Sequence, residues 1–129
     1  MQKTLLFALL LVPSFTSCAV VAGAIGGGIL LNETTDNSVY VGQLNASGSV
    51  TWAQTKKTLS NLSLKPISYD NEAMKATAEI DDATVTVTCS TYDLDKSEIQ
   101  VSAKKYTMNN GQIAKMVFDK IVADLNEQR

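Results

Sequence analysis

The most constraining feature of the chain is a triple alternation in its second half. Over residues 74–80, Met74, Ala76, Ala78 and Ile80 alternate with Lys75, Thr77 and Glu79. After Asp81-Asp82, Val85, Val87 and Cys89 alternate with Thr84, Thr86, Thr88 and Ser90. Beyond a polar loop over residues 93–97, Ile99, Val101 and Ala103 alternate with Glu98, Gln100, Ser102 and Lys104. Successive side chains of a strand point to opposite faces, so a period of two gives each run one apolar and one polar face. Short polar connections between such runs specify an antiparallel meander, buried on one side and wet on the other. The apolar side needs a cover.

Two helices are expected to supply it. Within residues 50–62, Trp52, Thr55, Leu59 and Leu62 recur at helical spacing, while Gln54, Lys56, Lys57 and Asn61 stay polar. Ser47-Gly48-Ser49 offers a serine N-cap to this helix. Asn109-Asn110-Gly111 caps a second helix, with Ile113, Met116, Val117, Ile121 and Leu125 as its stripe and Ala114, Phe118 and Val122 widening it. Residues 39–44 read as a first strand, and Pro66 imposes an extended stretch that includes Ile67 and Tyr69. The expected fold is α+β: a two-layer sandwich of order β-α-β-β-β-α, its antiparallel sheet carrying both helices on the Val85/Val87 face.

The N-terminus reads as an address. Lys3 precedes an unbroken apolar run over residues 5–12, about 12 Å as a helix against a bilayer core of about 30 Å. Pro13, Ser14, Thr16 and Ser17 follow as the small, helix-breaking flank of a secretory signal. Phe15-Thr16-Ser17-Cys18 then resembles the lipobox of bacterial lipoproteins, with Phe15 in place of the usual leucine. That resemblance implies a diacylglyceryl group on the Cys18 sulfur, cleavage before it and acylation of the new amino terminus. It also implies the outer membrane, facing the periplasm, because Ala19 stands where retention in the inner membrane typically needs Asp. Two other readings are open: cleavage after Ala22-Gly23-Ala24, which releases the chain, and an uncleaved anchor over residues 5–31. The expected organisation is a signal peptide over 1–17, a lipidated Gly/Ala-rich tether and polar linker over 18–37, and the α+β domain over 38–129.

The 129 residues include no histidine and two cysteines and carry a formal charge of −2. The commonest general base and zinc ligand is therefore missing, two cysteines make no disulfide scaffold, and the charge excludes a strongly basic nucleic-acid binder. Gly26-Gly27-Gly28 lacks the strand, helix and Gly-Lys-Ser/Thr ending of a phosphate loop. Cys89 is the strongest single candidate nucleophile of the domain, yet it shares the apolar face of Val85 and Val87 and is expected to be buried and inert. Asp93 and Asp95 alternate like calcium ligands but lack the central glycine and the distal glutamate. Asp81 and Asp82 should lie at the opposite end of the sheet from them. Lys56-Lys57 and Lys104-Lys105 are isolated pairs.

The chain as a whole resembles a family of short, functionally uncharacterised bacterial lipoproteins. The resemblance lies in the lipobox, the Ala/Gly-rich stretch after Cys18, the first strand Tyr40-Val41-Gly42-Gln43-Leu44 and Trp52 at the opening of the first helix, followed by three strands and a C-terminal helix. It implies the envelope location and the α+β fold and no catalytic residues; separately, no cofactor and no metal are expected from the residues. The expected role is a non-enzymatic binding or scaffolding module, held to the membrane through acylated Cys18. The wet sheet face offers hydroxyls and amides that could contact an envelope protein or a glycan. Trp52 is expected in the core by its phase with Leu59 and Leu62, and no nucleic-acid partner is expected. The alternatives are a secreted effector or inhibitor released near Ala24 and a histidine-free envelope enzyme.

Overall fold

The computed structural model describes residues 28–128. The signal peptide and Cys18 lie outside them. Nine elements follow in order: β1 (Leu30–Asp36), β2 (Val39–Leu44), α1 (Gly48–Leu62), β3 (Ser68–Asp70), β4 (Lys75–Ile80), β5 (Ala83–Asp93), β6 (Lys96–Lys105), β7 (Met108–Asn109) and α2 (Gly111–Gln128). The strands form one antiparallel sheet of order β1-β2-β6-β5-β4-β3, with β7 paired to β6.

The expected meander is present in its expected phase. Ala76 and Ala78 of β4, Val85, Val87 and Cys89 of β5, and Ile99, Val101 and Ala103 of β6 are all buried. Val87 pairs with both Ala76 and Val101, so the apolar residues form rows across the three strands. Both helices lie on this face. α1 packs over β4, β5 and β6, and α2 over β2, β5 and β6. From α2, Ala114, Val117, Phe118, Ile121, Val122 and Leu125 enter the core. The fold is the α+β two-layer sandwich, with β1, β3 and β7 added to the expected order.

Where α1 and α2 start follows from local chemistry. The Ser47 hydroxyl accepts from the backbone N of Val50 at 3.3 Å, and Asn110 Oδ1 accepts from that of Ile113 at 3.0 Å. Each satisfies an amide with no partner inside its own helix.

The stretch expected as a polar linker is a strand. β1 pairs with β2 from Leu30↔Leu44 to Asp36↔Val39, so the sheet begins at Leu30 and the expected boundary at Ser38 falls inside a hairpin turn. Past Leu30 every β1 side chain is exposed. The helices do not reach over this edge, so no apolar alternation marks it, and the strand is held by main-chain hydrogen bonds to β2. The end of the expected tether is likewise built in. Ile29 is buried, its N–H donates to Asn126 Oδ1 at 2.9 Å, and its carbonyl accepts from Asn45 N at 2.8 Å.

The register gives the sheet two unlike ends. At one end lie Gly28 and the β5–β6 hairpin, whose tip residue Leu94 is 91% exposed. At the other lie the two-residue turns Asn37-Ser38, Asp81-Asp82 and Tyr106-Thr107. All six of these turn residues have positive φ, between 53° and 66°, as a type I′ turn requires at both central positions. Asn109 Nδ2 donates to the carbonyl of Asn37 at 3.4 Å, tying two of the hairpins together.

Candidate functional site

Cys89 is 2% exposed at the centre of the sheet. Burial pushes its thiol up to about 11, against a smaller opposing effect of the Thr55 hydroxyl, which lies 3.6 Å from Sγ. A thiol held in that range is protonated at neutral pH and is a poor nucleophile.

The two acidic turns stand at opposite ends of the sheet, as their spacing implied. Asp93 Oδ1 accepts from the backbone N of Leu94 at 2.8 Å, and Lys96 Nζ lies 3.6 Å from Asp95. Ser97, the last polar residue of that loop, is fully buried and bonds Thr51 across the core at 2.7 Å. Among the described residues no group of three or more acidic, cysteine or histidine side chains is placed to hold a metal ion.

Trp52 is 7% exposed and belongs to the core. Its Nε1–H donates to Asn71 Oδ1 at 3.0 Å, its ring meets Tyr69 edge-on, and Lys56 Nζ sits 5.3 Å from the ring centroid. These partners occupy both its polar handle and its outer side, so it offers no open platform.

Between α1 and α2 runs a polar seam that the helical spacing did not announce. Gln54 Nε2 donates to Thr58 Oγ1 at 3.0 Å, and Thr58 Oγ1 donates to Asp124 Oδ2 at 2.7 Å. Lys120 Nζ donates to Asp124 Oδ1 at 3.0 Å, and Gln128 donates to Gln54. Burial works to raise the pKa of Asp124, but the Thr58 and Lys120 hydrogen bonds and the charges of Lys120 and Lys57 outweigh it and hold the carboxyl below its usual 3.8. The seam opens into a cleft of about 340 Å³ with Lys57, Asn61 and Glu127 at its mouth. Its inner groups are bonded to one another. The arrangement joins two helices and leaves little to offer a ligand.

The open face of the sheet is chemically different. Register places Ser102 opposite Thr86, Thr86 opposite Thr77, and Thr77 opposite Ser68, so one row of hydroxyls crosses four strands at steps of about 4.8 Å. A second row sets Lys104, Thr84 and Glu79 side by side. At the end of these rows a recess of about 580 Å³ is lined by Thr84, Thr86, Ser102 and Lys104, with Asp82, Tyr106 and Thr107 rising from the turns. Tyr106 is 81% exposed, and Lys105 Nζ lies 5.9 Å from its ring centroid.

The alternation named the face, including Thr84, Thr86, Ser102 and Lys104. It did not point to Tyr106 and Thr107, because non-glycine residues in a tight turn leave no compositional mark. Their only signal was the gap between the Ile99–Ala103 alternation and the helix cap at Asn110.

No family model matches the chain, and a search of the curated proteins finds no match to it.

Proposed function

We propose that this chain is a lipid-anchored lipoprotein of the bacterial envelope whose α+β domain is a binding module rather than an enzyme. The observation that carries the reading is Cys18 standing directly behind a short apolar run and the Phe15-Thr16-Ser17 flank. Acyl chains on Cys18 and on its amino group supply more than the two membrane signals that stable anchoring needs. With Ala19 next, the proposed site is the outer membrane, facing the periplasm.

The non-enzymatic part is supported by the chemistry of the domain. Its thiol is buried and protonated, and its two acidic turns stand at opposite ends of the sheet. The polar groups of the interhelical seam are engaged with one another. The open sheet face carries a row of hydroxyls across four strands. Gly28 enters the sheet at the end opposite the recess. In the same reading the chain is a member of the short lipoprotein family that its lipobox, Tyr40–Leu44 strand and Trp52 resemble.

Intact-mass spectrometry of the membrane-extracted protein, beside a Cys18→Ala variant, tests the anchor. A mature chain that starts at Cys18 and carries acyl mass supports it. An unmodified chain that starts near Ile25 and is found in the medium overturns it and leaves a secreted effector or inhibitor. No helix among the described residues is long and apolar enough to cross a membrane.

A further inference from the structure

We propose that the recess at the turn-bearing end of the open sheet face binds a neutral oligosaccharide, stacked on Tyr106 and hydrogen-bonded by Thr84, Thr86, Ser102 and Thr107. The inference rests on the binding-module reading and deepens it by naming the site and the ligand class.

The lining selects the ligand. Thr84, Thr86, Ser102 and Thr107 bring hydroxyls that both donate and accept, and a sugar is the ligand class whose own hydroxyls do the same. Asp82 and Lys104 contribute one charge of each sign to the lining, which favours a ligand without net charge. Lys105, 5.9 Å from the Tyr106 ring centroid, adds a cation at the rim, and the galacturonate arm of the test measures its pull on an anionic sugar. The row spacing of about 4.8 Å between strands repeats hydroxyls across the face from Ser102 to Ser68, so an extended chain of sugar units meets them in succession. Tyr106 supplies the apolar element. An aromatic ring with a polar tip lies well against the C–H face of a pyranose, and Tyr106 is 81% exposed beside the recess. A folded protein partner would instead call for a central cluster of apolar anchors, and the recess has one aromatic ring.

One of the turns that line the recess is also held in a backbone conformation its residues disfavour. Tyr106 and Thr107 have φ of 53° and 65°, and Asp81 and Asp82 have 53° and 64°. These are conformations in which Gly, Asn and Asp are favoured and a β-branched threonine is disfavoured. Such strain persists where the surroundings over-determine it and gathers at ligand clamps. The Asp81-Asp82 and Tyr106-Thr107 turns both line the recess, and the strain falls on Tyr106 and Thr107. Outside the three turns Met74, toward the other end of the sheet, also has positive φ, at 53°. The β5–β6 turn at the other end has no residue of positive φ.

The test is an NMR titration of the full, processed chain in a detergent without a sugar headgroup. The added ligands are the tetrasaccharides of N-acetylglucosamine, glucose and galacturonate. The expected result is saturable shifts of the amides of Thr84, Thr86, Ser102 and Thr107 with a neutral tetrasaccharide. Tyr106→Ala should weaken the binding by about tenfold, while Tyr106→Phe, which keeps the ring, should retain it. The proposal is overturned if neither neutral sugar shifts these amides at millimolar concentration or if Tyr106→Ala binds as the parent does. Tighter binding of the galacturonate, or shifts confined to the Lys57/Lys120 cleft, overturns it equally. Because the purified chain is titrated, sugar binding by an unacylated chain removes the anchor and keeps the site. An acylated chain that ignores sugars does the reverse.

Discussion

Phe118 of α2 closes directly onto the backbone of Gly42 in β2: a Cβ at Gly42 would stand 2.5 Å from the ring's Cζ and 2.8 Å from Cε2. Phe118 is fully buried and is the largest such side chain in the core, and its ring also meets Tyr40 at a centroid distance of 6.0 Å. The missing side chain at Gly42 is therefore what lets α2 lie close over β2. Gly42→Ala should destabilise the fold by about 1–3 kcal/mol through overpacking. Urea unfolding followed by Trp52 fluorescence would show this as a lower midpoint at unchanged slope.

Thr51 and Ser97 share a hydroxyl–hydroxyl bond of 2.7 Å and are both fully buried. Thr51→Val leaves the Ser97 hydroxyl without that partner and should cost about 1–3 kcal/mol. Combining it with Ser97→Ala should recover much of the loss, since removing both partners is cheaper than orphaning one. A double-mutant cycle in urea measures the coupling, and strict additivity would show that the pair contributes nothing.

Ser38 holds φ at 66° beside Asn37 at 53° in the β1–β2 turn. Ser38→Gly creates the Asn-Gly pair that a type I′ turn favours and should raise stability by about 1 kcal/mol. Thermal unfolding is the check, and an unchanged or lower melting temperature would count against strain at this turn.

Two groups contribute to the pH dependence of stability in opposite ranges. The Cys89 thiol is raised from 9.0 to about 11 in the folded state, so the unfolded chain loses this proton first. Stability should fall as pH rises from about 9 toward 11, and Cys89→Ala should flatten that limb. At neutral pH Cys89 should resist alkylation until the protein unfolds. Asp124 lies below its usual 3.8 when folded. Its contribution is present above that pH and should be lost as pH falls below it, with Asp124→Asn flattening the acid limb. Denaturant melts across both ranges would measure these slopes.

Several features could be read without coordinates. The alternation of Val85, Val87, Cys89, Ile99, Val101 and Ala103 fixed which face is buried, because a strand cannot turn one side chain in without turning the next one out. The same rule put Thr84, Thr86 and Ser102 on the open face, and the caps at Ser47 and Asn110 placed the helix starts. The helical stripe of α1 was only partly legible. Gln54, which the spacing put on the polar face, is nearly buried, and Thr51 and Thr58, which the stripe did not include, are fully buried. Burial there depends on partners, Ser97, Asp124 and Gln128, that lie far along the chain.

The sequence alone determined the α+β architecture, the phase of the meander and the inert setting of Cys89, since each follows from local periodicity and the chemistry of single residues. Tertiary structure decided that residues 30–36 are a strand, because an exposed edge is held by main-chain bonds that any side chains permit. It also decided that Asp82, Tyr106 and Thr107 meet the hydroxyl rows at one end of the sheet. Asp82 and Tyr106 belong to different hairpins, and only the pairing of β5 with β6 brings them to one place. That pairing is a long-range choice made by burying the common apolar face.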